Sequence, residues 1–84
     1  MMAKSTHINV TIDFQYWDGG VYDLRIPVQV TAKQLLLSVS DTLHIQQTDS
    51  SQYAIRVLTK KLLITDDDIV SHYPITDGDI LQVL

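Results

Sequence analysis

The sequence predicts an α+β fold in which five strands form a sheet and one helix covers one of its faces. Three observations predict it. Apolar residues alternate in runs near residues 8–14, 22–26 and 53–57, the period of a half-buried strand. One segment, Thr31 to His44, switches to a helical period. No repeat, low-complexity tract or linker divides the 84 residues, so residues 1–84 read as one domain, with Met1 to Thr6 a flexible lead-in.

The first strand is the clearest element. Ile8, Val10, Ile12 and Phe14 point one way and Asn9, Thr11 and Asp13 the other. Tyr16-Trp17-Asp18-Gly19-Gly20 reads as a turn, because Asp-Gly and Gly-Gly reach positive φ at little cost. Tyr22, Leu24 and Ile26 then alternate with Val21, Asp23 and Arg25 until Pro27, which has no N–H for a ladder. The two runs make an antiparallel hairpin.

Thr31 and Gln34 have the spacing of a capping box, in which each side chain satisfies an amide at the helix start. Steps of about 100° per residue bring Ala32, Leu35, Leu36, Val39 and Leu43 onto one face. Lys33, Ser40, Asp41 and His44 fall elsewhere, and Leu37 lies opposite the apolar stripe. After a polar loop from Gln46 to Gln52, Tyr53, Ile55 and Val57 should face the helix, leaving Ala54, Arg56 and Leu58 outside. Lys60-Lys61 turns the chain into a short strand, Leu62-Leu63-Ile64. Thr65 to Tyr73 reads as a loop with a brief helical turn, whose Asp residues can cap its positive end. Thr76-Asp77-Gly78-Asp79 is a turn, and Ile80 to Leu84 the last strand.

Composition narrows the function. With 45% apolar residues the chain can fill a modest core. No uninterrupted apolar stretch exceeds three residues, as at Leu35-Leu36-Leu37, so neither a membrane span nor a signal-peptide core is expected. The protein is expected to stay in the cytoplasm. It has no cysteine, which excludes disulfides, thiolate metal sites and a Cys nucleophile. The net charge is −4, and the six basic residues are scattered, with Lys60-Lys61 the one adjacent pair. Nucleic-acid binding, which needs a concentrated basic footprint, is disfavoured.

The candidate chemistry is sparse. Asp66-Asp67-Asp68 could hold a hard cation, but it lacks the alternating ligands and central glycine of a calcium loop, and a solvated capping turn is the stronger reading. His7, His44 and His72 have no second His or Cys at ligand spacing. No Ser lies in a nucleophile-elbow setting. A binding module is expected, not an enzyme, with no cofactor and no metal.

The order of strands and helix resembles that of ubiquitin-like β-grasp proteins. Leu62-Leu63-Ile64, Tyr73-Pro74-Ile75 and Asp77-Gly78-Asp79-Ile80-Leu81 are similar to theirs, where a tyrosine ahead of the final strand pins the preceding loop. That likeness implies a five-stranded mixed sheet with the first and last strands parallel at its centre. A narrower likeness lies in Val10-Thr11-Ile12-Asp13-Phe14, Tyr22-Asp23-Leu24, Ile55-Arg56-Val57-Leu58-Thr59-Lys60 and Ile75-Thr76-Asp77-Gly78-Asp79-Ile80-Leu81. In order and spacing these resemble the YukD/EsaB family, ubiquitin-like proteins encoded with the type VII (WXG100) secretion systems of Gram-positive bacteria. The resemblance runs from about Ile8 to Leu84. It implies a cytosolic accessory or regulatory protein whose partners are cytosolic domains of membrane-embedded secretion-complex proteins. A monomer without membrane insertion is expected, and the family brings no catalytic residues. The alternative is a β-grasp modifier or sulfur carrier, whose C-terminal Gly-Gly carboxylate is adenylated. The sequence ends at Leu84 without that tail, so this alternative is disfavoured.

Ubiquitin-like domains commonly meet partners on the open sheet face near the third and fifth strands. The fifth strand is apolar on both parities, and Gln82 marks the solvent side, exposing Ile80 and Leu84 with it. The expected contact patch is Arg56, Leu58, Ile80, Gln82 and Leu84, with Asn9 at its border. Arg among apolar neighbours is a common interface composition. Two other contact points are open: Leu37 on the outer helix face, and Trp17 in the first turn. The Trp17 indole either anchors a partner or folds back over its own hairpin.

Overall fold

A computed structural model describes residues 6–45 and 53–84. The lead-in before Thr6 and the polar loop 46–52 lie outside the described residues. Strand β1 (His7–Asp13) runs antiparallel to β2 (Val21–Pro27), with Val10 opposite Leu24. Helix α1 (Ala32–Thr42) follows, then β3 (Ala54–Val57), β4 (Leu62–Thr65) and β5 (Ile80–Val83). The sheet order is β2-β1-β5-β3-β4, and β5 pairs parallel to β1 and antiparallel to β3. This is the mixed β-grasp sheet with its first and last strands side by side.

The hairpin turn is tighter than a plain loop. Gln15–Trp17 form a 3-10 turn, and Asp18 takes a left-handed φ of 56° to reverse the chain. Gly19 is required by space, since a Cβ there would lie 2.9 Å from both Ile45 and the Phe14 side chain.

The capping box at the start of α1 is complete. Thr31 Oγ1 accepts from the Gln34 amide at 3.1 Å, and Gln34 Oε1 accepts from the Thr31 amide at 3.0 Å. At the other end His44 takes a left-handed φ of 57°, which stops the helix two residues short of the expected boundary.

Ile8, Val10 and Ile12 from β1, with Phe14 just after it, meet Leu35, Leu36 and Val39 from α1, with Ile55, Val57, Ile64, Leu81 and Val83 below. Three positions depart from what alternation and the helical period imply. Leu24 and Leu43 are half-buried rather than buried, because they line the open side between the β2 edge and the helix end. Ser40 is buried, although the wheel placed it outside. Its hydroxyl donates to the Leu37 carbonyl at 3.3 Å, so the helix itself satisfies it. Val39→Asp is expected to abolish the cooperative thermal melt, because it puts an unpaired carboxylate against this core. A retained melt would place the buried helix face elsewhere.

Candidate functional site

The face of the sheet opposite α1 is built by the odd residues of β1 and β2 and the even residues of β3 and β5. Arg56 lies between Gln82 on β5 and Leu63 on β4. One step along, the Leu58 amide donates to the Ile80 carbonyl at 2.9 Å, and Ile80 stands opposite Thr11. At the other end the Leu84 amide donates to the Ala54 carbonyl at 3.0 Å. Arg56, Leu58, Ile80, Gln82 and Leu84 are therefore neighbours on one face. Leu58 is 41% exposed and Ile80 36%, whereas Gln82 and Leu84 are partly covered. Asn9 is exposed on β1, where its amide donates to Asp77 Oδ1 at 2.8 Å.

Leu63 is the residue the sequence reading missed. At 52% exposed it lies beside Arg56, and with Leu58 and Lys61 it lines a shallow hollow of about 320 Å³. A signal was present: with Leu62 and Ile64 directed at the core, alternation sends Leu63 outward. Neither Arg56 nor Lys61 has an ion pair or side-chain hydrogen bond among the described residues.

Two contacts pin the last strand at either end. Asp79, just ahead of Ile80, is buried; it accepts from Lys60 Nζ at 2.7 Å, Thr59 Oγ1 at 2.7 Å and the Thr76 amide at 2.9 Å. Lys60 also donates to the Pro74 carbonyl at 3.0 Å, so one cation ties the β3–β4 turn to the lead-in of β5. Burial alone pushes the Asp79 carboxyl up. The bonds from Lys60, Thr76 and Thr59 outweigh it and hold the group below the usual carboxylate range.

Trp17 forms the second pin. It is 5% exposed, lies against Phe14 and Tyr53, and donates from Nε1 to the Leu84 carbonyl at 3.1 Å. Of its two readings the structure has the fold-back one, and it extends beyond the hairpin to the end of β5. With its ring in the core the indole offers a partner almost no surface, so Trp17 leaves the contact set. Leu37 is 39% exposed on the outer face of α1, away from the sheet patch.

The acidic turn does structural work that differs from the expected capping of its own short helix. The Asp68 and Asp66 backbone carbonyls accept from the Ala32 and Lys33 amides at 3.0 Å each, so the turn caps α1. Asp66 Oδ1 accepts from the Tyr53 amide. Asp68 Oδ2 accepts from the Thr65 amide at 3.0 Å and from the Tyr73 hydroxyl at 2.9 Å. That tyrosine pins the preceding loop, as the β-grasp resemblance implied. The Thr65 amide first, then the Tyr73 hydroxyl, hold the Asp68 carboxyl below its ordinary range; the same bond pushes the Tyr73 hydroxyl up.

A preorganised face of exposed Leu and Ile around an Arg with no side-chain partner among the described residues is suited to binding. The sequence model of the WXG100 protein secretion system (Wss) protein YukD matches residues 7–83. The chain belongs to the YukD family. It is similar to the type VII secretion system accessory factor EsaB of Staphylococcus aureus (strain Newman), 40% identical over 78 residues that cover 93% of this chain and 96% of that one. It is also similar to the ESX secretion system protein YukD of Bacillus subtilis (strain 168), 27% identical over 78 residues, 93% of this chain and 99% of that one. This YukD-family chain is an accessory protein of type VII secretion. Among the described residues no helix is long and apolar enough to cross a membrane.

Proposed function

We propose that the protein works in the cytoplasm as a docking module, and that the open sheet face holds a cytosolic domain of a membrane-embedded component of the secretion machine. One observation supports this most directly. Leu58, Leu63 and Ile80 stand exposed around an Arg56 whose side chain has no partner among the described residues, and Arg56 pairs with β5, the strand held at both ends. Exposed apolar residues on a sheet face need a reason, and strands fixed before binding lose little entropy when they bind. The contact set is Arg56, Leu58, Leu63, Ile80, Gln82 and Leu84, with Asn9 at the border.

Arg56→Glu and Leu58→Asp should each weaken binding to the cytosolic domains of the membrane components by roughly thirtyfold, the loss of about 2 kcal/mol at a central contact. Thermal melts of both variants should stay close to wild type, since both side chains are exposed. Leu37→Asp should bind normally. If Leu37→Asp abolishes binding while the two sheet variants retain it, the contact lies on the outer helix face.

A further inference from the structure

We infer that the protein self-associates through its β2 edge, two copies pairing antiparallel about Leu24 to give one continuous ten-stranded sheet. β2 is an edge strand. The Phe14 amide donates to the Gly20 carbonyl at 2.7 Å and the Val28 amide to the Thr6 carbonyl at 3.0 Å, so the even residues of β2 face β1. The amides of Val21, Asp23 and Arg25 and the carbonyls of Val21, Asp23, Arg25 and Pro27 therefore point outward. None has a hydrogen bond among the described residues. The opposite edge is less available: β4 has four residues, and its Thr65 amide is taken by Asp68.

Charge selects both the occupant and the register. Asp23 and Arg25 are exposed on the same face of β2, two residues apart. An antiparallel second copy centred on Leu24 sets Asp23 against the partner's Arg25 and Arg25 against the partner's Asp23. Both are positions where outward amides and carbonyls meet, so the two pairs exchange four backbone hydrogen bonds. The Val21 amide and the Pro27 carbonyl of each copy add two more. Shifting the register by one pair in either direction sets Asp23 against Asp23 or Arg25 against Arg25, which like charge opposes. The strand is thus complementary to itself in this register, the requirement of a two-fold interface. On the helix face the same register brings together the half-buried Leu24 of both copies, beside the groove formed with Pro27, Val39 and Leu43. The contact is small compared with a standard interface, so the dimer is weak and concentration-dependent.

Sedimentation equilibrium on the full chain, from tens of micromolar to about millimolar, tests this. The apparent mass of wild type should rise toward that of a dimer. Asp23→Arg and Arg25→Asp should each remain folded and monomeric, weakening association at least about tenfold. An equimolar mixture of the two variants should associate again, because each then sets opposite charges against the other at both positions. A wild type that stays monomeric throughout overturns the proposal. So does association that survives both single variants, or a mixture of the two folded variants that fails to associate.

Discussion

Asp79→Ala is expected to lower stability by about 3 kcal/mol, the scale of breaking a buried, multiply bonded charge. For a chain of this size that is a drop of roughly 15 °C in Tm. The carboxylate meets three donors at 2.7 to 2.9 Å, and its removal leaves the Thr76 amide and the Thr59 hydroxyl without their acceptor. Lys60→Met should cost a comparable amount, about 3 kcal/mol, because it leaves the buried Asp79 carboxylate without its counter-ion. The folded-state pKa of Asp79 lies below its ordinary value. Its contribution is therefore fully present above the unfolded carboxylate pKa of about 3.9 and is lost as pH falls through the lower folded value. Wild type should lose Tm steeply in that acidic window, and Asp79→Asn, already destabilised at neutral pH, should lose less. Equal acid slopes in the two proteins would remove the Asp79 charge from the account.

Trp17→Ala is expected to cost about 3 to 4 kcal/mol, the range for emptying a large aromatic site in a core. The ring fills space between Phe14 and Tyr53 and bonds to the last residue of the described chain. Trp17→Phe should recover part of the packing but not the bond to the Leu84 carbonyl, so it should fall in between. Urea unfolding monitored by circular dichroism orders the three proteins. An alanine variant as stable as wild type would mean that the indole contributes nothing to the closed β5 end.

Much of the fold was legible because local rules and the tertiary arrangement agree. The alternation of Ile8 to Phe14, the Thr31–Gln34 box and the stripe through Leu35, Leu36 and Val39 each needs only a few neighbours to be read. The failures occurred where a residue's partner is distant in sequence. Nothing near Asp79 predicts burial, since its cation comes from Lys60 and its environment from the packing of two loops. Asp66 and Asp68 read as caps for their own turn, but their carbonyls serve a helix that starts more than thirty residues earlier. Trp17 sat in a turn between glycines, and only the closing of β5 gives the indole a roof. The open-face patch was legible. Alternation places Arg56 and Leu58 outside, and the same rule applied to Leu62-Leu63-Ile64 sends Leu63 outward beside them.

The position of β5 also determines how the molecule must assemble. β1–β2 and β3–β4 are each hairpin pairs of local contacts, and neither touches the other through the sheet except by way of β5. Each hairpin alone is marginal in water, because it has one apolar face and nothing to bury it against. The strand that joins them pairs Thr11 with Ile80 and Asp13 with Gln82, contacts separated by nearly the whole described chain. The entropy of closing that loop is lost before its contacts are gained, so joining the halves is expected to be the slow step of folding. Until it occurs, the face that becomes the core lies open on two half-sheets, and the chain is most prone to aggregate.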